Sequence, residues 1–110
     1  MQVKYLKPIL VTSAMIGLSQ WSGLSFAQTA DQLYKRGLAA TCANCHGTDG
    51  RTTEGSAIPS LVGMPKDYMI LQMKAFKDGT RPATVMHQIT KGLTDAQINT
   101  IANYYAATKR

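Results

Sequence analysis

The residues best suited to chemistry form one short run, Cys42-Ala43-Asn44-Cys45-His46. Two thiols three residues apart can each add to a vinyl group on one edge of a porphyrin, and the imidazole that follows can then reach the iron. C-x-x-C-H is the attachment sequence for a c-type haem. The run therefore predicts one covalently bound haem c, held by Cys42 and Cys45, with His46 as an axial ligand of the iron.

Other uses of two cysteines fit this sequence less well. A thioredoxin-like C-x-x-C motif needs a neighbouring βαβ pattern, and none is visible. A zinc site needs four ligands, and the chain has only four cysteines and histidines in total, two of them adjacent. A disulfide across so short a loop would stabilise the fold little.

A second axial ligand must come from farther along the chain if the iron is to carry electrons. A methionine thioether raises the potential of such an iron. Met69 and Met73 lie in the apolar pattern of a predicted helix, which favours core packing. Met64 follows His46 closely, whereas Met86 lies 40 residues beyond it, far enough to reach the opposite face of a haem. Spacing thus favours Met86 and leaves Met64 and His87 open.

His87 and Arg81, which lie near Met86 in the sequence, are each considered as haem contacts. Adjacent residues on a helix point about 100° apart, so Met86 and His87 cannot both coordinate one iron. We interpret His87 as a surface histidine. Arg81 could pair with a haem propionate, although an arginine in a loop is more commonly just exposed.

The elements around these residues read as helices, and no segment reads as a strand. Asp31 to Thr41 has an apolar edge that includes Leu33, Tyr34 and Leu38, and Gly37 within it suggests close packing against another backbone. The segment from Gly47 to Gly63 reads as loop. Three further helices are predicted: Pro65 to Gly79, Val85 to about Gly92, and one that starts with a capping box at Thr94-Asp95-Ala96-Gln97 and buries Ile98, Ile101, Ala102 and Tyr105. The predicted fold is all-α.

The first 27 residues have the layout of a secretory signal peptide. Lys4 and Lys7 precede an apolar run from Ile9 to Leu18, and Ser25-Phe26-Ala27 forms a small-x-small end. Polar residues interrupt the run too early for a spanning helix of about 20 residues, the alternative interpretation. Cleavage after Ala27 predicts an exported, periplasmic domain over residues 28–110 with no membrane insertion.

The distribution of charge argues against a nucleic-acid-binding protein. Ten basic and six acidic side chains follow residue 27, a net charge of +4. The basic residues are scattered, without the clustering or aromatic interleaving of a nucleic-acid-binding surface. A mildly positive face suits docking to an acidic protein partner.

Taken with the haem motif, further stretches resemble a class I cytochrome c, most closely the single-haem cytochrome subunit of flavocytochrome c sulfide dehydrogenase. These stretches are Cys42 to Gly50, Pro59-Ser60-Leu61, Arg81 to Met86 and Lys91-Gly92-Leu93-Thr94. The resemblance implies three to four helices wrapped around one haem, with His46 and Met86 as axial ligands and the Pro59 carbonyl orienting the His46 ring. It also implies that the first and last helices cross near Gly37 and Tyr104-Tyr105.

An iron with both axial positions filled by protein has no place for a substrate, which points to one-electron transfer rather than to an enzyme. The resemblance implies a flavin-containing sulfide dehydrogenase as partner, with this chain as its electron-accepting subunit. The alternative is a free soluble carrier between respiratory complexes and a terminal oxidase or reductase. An enzyme or gas sensor with an open haem position would require that Met86 not bind.

Overall fold

Four α-helices account for most of residues 28–109, the part of the chain that this computed structural model describes. They are α1 (Ala30–His46), α2 (Lys66–Asp78), α3 (Met86–Lys91) and α4 (Asp95–Ala107), and a 3-10 turn covers Thr48–Gly50. No strand occurs within this range, so the all-α prediction is confirmed. The predicted signal peptide, residues 1–27, lies outside the described residues.

The starts and stops of the later helices follow the sequence signals closely. Pro65 caps α2, and Gly79 ends it in the left-handed conformation. Both hydrogen bonds of the predicted capping box are present at the start of α4, where the Gln97 amide donates to Thr94 Oγ1 over 3.2 Å and the Thr94 amide donates to Gln97 Oε1 over 2.8 Å. An equivalent box, Thr29 with Gln32, starts α1 and was not predicted, although it has the same spacing.

The core forms where α1, α2 and α4 pack together. Its members include Ala39 of α1, two methionines of α2 and the four residues predicted to be buried on α4, and each is at most 6% exposed. The α2 and α4 members are Met69, Met73, Ile98, Ile101, Ala102 and Tyr105. The Tyr105 hydroxyl donates a 2.6 Å hydrogen bond to the Ala39 carbonyl and so joins α4 to α1. Burial raises the pKa of this phenol, which keeps it a neutral donor.

The apolar edge predicted for α1 is wrong in its first half. Leu33 and Tyr34 are 54% and 55% exposed, and within the described part of the chain a side chain at Gly37 would meet nothing within 4 Å. The buried side of α1 runs instead through Ala39 and His46, so the contact with α4 lies at Ala39 and not at Gly37. The first turns of α1 therefore leave their apolar side chains exposed, and its packing begins only at Leu38 and Ala39.

The helices of the described range are all short or polar relative to a membrane span. None within residues 28–109 has the length and hydropathy needed to cross a bilayer.

Candidate haem-binding site

Helix α1 continues five residues beyond its predicted end and carries the whole motif on its last two turns. Cys42 is partly buried, Cys45 is exposed, and His46, the last residue of the helix, is 7% exposed. In a helix, residues three and four positions apart share a face, so Cys42 lies on the same side as both Cys45 and His46. The helix thus presents two thiols and an imidazole from one rigid element.

The His46 ring is fixed by a contact with the loop that follows. Its Nδ1 lies 2.7 Å from the carbonyl oxygen of Pro59. A carbonyl can only accept, so Nδ1 carries the hydrogen and donates it, which leaves Nε2 as the nitrogen with a free lone pair. This is the tautomer that a metal-binding imidazole needs, with its second nitrogen bonded to a neighbouring group.

Both cysteines are free, and the surroundings of Cys42 favour an uncharged sulfur. Burial raises the pKa of the Cys42 thiol, and a hydrogen bond with Thr41 offsets this only in part. A thioether is likewise uncharged and weakly polar, so covalent attachment at Cys42 suits this setting. Within residues 28–109, no three His, Cys, Asp or Glu side chains gather as the ligands of a metal ion, which weighs against the zinc interpretation.

The methionines of the described chain separate into two groups. Met69 and Met73 belong to the core, and Met64 packs against it. Met86 neither belongs to the core cluster nor packs against it, although it is partly buried at the first residue of α3. Its thioether is therefore the one that core packing does not already use within residues 28–109.

Large apolar side chains remain exposed on α2, on α3 and in the loop after the motif. Tyr68 and Leu71, three residues apart on α2, are 49% and 62% exposed, and Val85 and Ile89, four apart at α3, are 53% and 44% exposed. Helices α2 and α3 pack together. Ile58, just before Pro59, is 41% exposed. Exposed apolar groups at such spacing mark a surface that something covers, and a porphyrin, large and flat, fits that need.

A cleft of about 360 Å³ lies between the end of α2 and α3. Its lining includes Lys77, Arg81, His87 and Lys91, with Asp78 as its acid. The Arg81 guanidinium stacks 4.5 Å above the Phe76 ring and donates to the Gln72 side chain, so it already has partners within the protein. His87 is partly buried, and its Nδ1 is buried without a hydrogen-bond partner among residues 28–109, so the interpretation of His87 as a surface side chain is wrong.

Sequence reasoning missed the residue that anchors the loop carrying Pro59. Gly50 is buried against the ring of Tyr105, and its carbonyl accepts hydrogen bonds from the segment after Pro59. A glycine in a loop of mixed polar residues gives no signal of this role, because the contact is made by a residue 55 positions away.

Comparison with known proteins identifies the family of the chain. The chain matches the cytochrome c family over residues 27–109. It is 43% identical over 68 residues to the cytochrome subunit of sulfide dehydrogenase from Chlorobaculum tepidum, covering 62% of this chain and 60% of that protein.

Two further relatives are longer than this chain. A thiosulfate dehydrogenase electron acceptor from Thiomonas intermedia is 38% identical over 71 residues, which are 64% of this chain and 33% of that protein. Cytochrome c4 from Pseudomonas aeruginosa is 33% identical over 106 residues, which are 96% of this chain and 49% of that protein. The chain thus spans from a third to three fifths of the length of these three relatives.

Proposed function

Because the chain belongs to the cytochrome c family, whose cofactor is haem c, we propose that it is a periplasmic protein that carries single electrons between redox partners. One observation supports this most directly. His46 closes the C-x-x-C-H motif with Nδ1 bonded to a carbonyl and Nε2 left free, as a ligand of haem iron requires. The signal-peptide layout of residues 1–27 supports the periplasmic location.

The residues divide the binding task among them. Cys42 and Cys45 would hold the porphyrin through thioether bonds, and His46 and Met86 would be the two protein ligands of its iron. The Pro59 carbonyl fixes the direction of the His46 ring. When bound, the haem supplies an iron that alternates between Fe(III) and Fe(II). The exposed apolar residues of α2 and α3 are the surface that burial of the porphyrin takes out of water.

An iron with two protein ligands transfers electrons and has no free position for an external ligand. Carbon monoxide added to the reduced protein at neutral pH tests this directly. We expect an unchanged spectrum, because Met86 fills the position that carbon monoxide needs. A carbon monoxide adduct would instead indicate an enzyme or gas sensor with an open haem position.

The proposed partner is a flavin-containing sulfide dehydrogenase, with this chain as its electron-accepting subunit. The support is the relative named as the cytochrome subunit of sulfide dehydrogenase. A stable complex survives purification, so the native protein should elute with a second polypeptide that carries a flavin. Size-exclusion chromatography with absorbance at both chromophores measures this.

The second candidate is a free carrier that docks transiently on several partners. Relatives named as electron acceptors of a different dehydrogenase support it, as does the basic cleft between the end of α2 and α3, where Arg81 and Lys91 are exposed. This candidate predicts a monomer whose electron-transfer rate falls as salt is added, because weak docking between charged surfaces is screened. A flavoprotein complex that persists in high salt would contradict it.

A further inference from the structure

The segment that presents the Pro59 carbonyl to His46 is held by its neighbours and not by Pro59. Proline has no backbone N–H and so donates no hydrogen bond of its own. The residues after it supply the donors: the Leu61 amide and the Ser60 hydroxyl each bond the Gly50 carbonyl over 2.8 Å, and the Val62 amide reaches it over 3.3 Å. Of these three donors, the Ser60 hydroxyl is the one that belongs to a side chain, and Ser60 is the donor residue nearest to Pro59 in the sequence.

The acceptor of these bonds is itself fixed. The Gly50 amide donates to the Gly47 carbonyl over 2.8 Å, at the end of the motif helix. A Cβ built on Gly50 would lie 2.4 Å from Cε1 of Tyr105, so the Tyr105 ring closes the space beside it. Tyr105 in turn is 1% exposed and bonded to Ala39 of α1. Gly50 is therefore held in place by Gly47, at the end of the helix that carries His46, and by the ring of Tyr105.

From these contacts we infer that Ser60 is a positioning residue for the haem ligand His46. The Ser60 hydroxyl donates a hydrogen bond to the Gly50 carbonyl and so fixes the backbone next to Pro59. This contact keeps the Pro59 carbonyl 2.7 Å from His46 Nδ1. The inference rests on the proposed function, since it assigns Ser60 a role only through a haem-bound His46.

The consequence is electronic as well as structural. A carbonyl that accepts the Nδ1 hydrogen makes the imidazole a more basic ligand, and a more basic ligand stabilises Fe(III) over Fe(II). Ser60 thereby lowers the reduction potential. Removing its hydroxyl loosens the Pro59 carbonyl, weakens the bond to His46 and raises the potential.

The fold should tolerate this change. In Ser60→Ala the Gly50 carbonyl keeps its two bonds from the Leu61 and Val62 amides, so the loop remains attached. Ser56→Ala is a matched control from the same loop: Ser56 Oγ accepts from the Ile58 amide over 3.1 Å and does not bond Gly50. Ser60→Thr keeps the hydroxyl and serves as the conservative rescue.

The experiment compares the four haem-loaded proteins by spectroelectrochemical titration and by the proton NMR spectrum of the oxidised form. The haem methyl shifts in that spectrum report the orientation of the axial imidazole. We expect Ser60→Ala to raise the midpoint potential and to shift the haem methyl resonances, Ser56→Ala to match the wild type, and Ser60→Thr to return towards it.

Two results would overturn the inference. One is a wild-type potential and methyl pattern in Ser60→Ala; the other is an equal change in Ser56→Ala, which would mean that any loosening of the loop has the same effect. Failure of the proposed function looks different. The wild-type protein itself would then lack the spectrum of a histidine-ligated haem.

Discussion

His46 separates the tasks of its two ring nitrogens, and this separation is what the site depends on at the scale of single residues. Nδ1 donates to Pro59, which fixes the ring plane, and Nε2 is left to bind. The imidazole is 7% exposed at the end of a long helix, so neither backbone nor ring has room to turn away. Met86 differs from His46 in its surroundings, since it lies outside the core cluster at the start of a short helix.

The identity of the second axial ligand can be tested by exchanging methionines. Met86→Ala should lower the reduction potential and abolish the weak sulfur-to-iron absorption band near the red end of the oxidised spectrum, because the thioether that favours Fe(II) is gone. Absorption spectroscopy and potentiometry of the haem-loaded protein measure both effects.

Met64→Leu is the control for this exchange. Met64 packs against the core, and leucine replaces its bulk there, so the band should remain. A band that survives in Met86→Ala and disappears in Met64→Leu would show that Met64 is the ligand. A band that survives in both would point away from these two methionines.

The haem motif and the contact of His46 with the Pro59 carbonyl could be predicted from the sequence, for a physical reason. Haem attachment requires thiols and an imidazole at fixed spacing, and such spacing is visible in a linear sequence. The surroundings of Arg81 and His87 were not within reach, because they depend on side chains of α2 folding back over the loop: Arg81 stacks on Phe76, and His87 lines the cleft at the end of α2.

At the scale of elements, Gly50 joins the loop to α4, and its missing side chain is a requirement of packing. Its φ of +75° is one that other residues adopt at a cost of about 1–2 kcal/mol. An added methyl would also strike the Tyr105 ring, and overpacking costs roughly 1–3 kcal/mol more. Gly50→Ala should therefore destabilise the protein by about 2–5 kcal/mol in denaturant unfolding.

Gly55→Ala separates the two contributions. Gly55 has a similar φ of +79°, but nothing lies within 4 Å of the added Cβ, so only the backbone cost of about 1–2 kcal/mol applies. Equal losses of unfolding free energy in the two variants would mean that Tyr105 does not press on Gly50.

Gly37 gives the opposite expectation on α1. It is exposed in mid-helix, and an added Cβ would meet open space. Gly37→Ala should therefore stabilise the protein by about 0.5–1 kcal/mol, the usual helical advantage of alanine over glycine. Thermal and denaturant midpoints measure the gain, and Ala40→Gly, an exposed site on the same helix, should lose a similar amount. A loss in Gly37→Ala would show that another backbone does approach Gly37 closely.

The helices differ in how well the sequence predicted them. Helices α2 and α4 have local stop and start signals, Gly79 and the Thr94 capping box. The apolar stripe of α4 is buried, whereas on α2 only Met69 and Met73 are buried. Helix α1 was predicted to start within one residue of its true start, but its buried side and its end were predicted wrongly. Its apolar first half is exposed among residues 28–109, and its last turn contains Asn44 and Cys45, residues of low helix propensity that the tertiary contacts of Ala39 and His46 hold in place.

At the scale of the whole molecule, the side chains of residues 28–109 form a core that leaves large apolar groups exposed. The buried cluster fills the junction of α1, α2 and α4, whereas Tyr68 and Leu71 on α2 and Val85 and Ile89 at α3 remain in contact with water. Short chains of this size commonly need a cofactor or cross-link to complete a stable core. A covalently attached haem meets that need, and the proposed export of the chain places its assembly outside the cytoplasm.

The most direct test of the central claim is the intact mass of the purified protein under denaturing conditions, after expression in a host that attaches haem to exported cytochromes. A denaturant releases a haem that is merely bound, but it leaves thioether bonds in place. The predicted result is a red protein with the mass of residues 28–110 plus one haem, which Cys42→Ala with Cys45→Ala reduces to the mass of the polypeptide alone. A wild-type protein with the mass of the bare polypeptide would contradict the account.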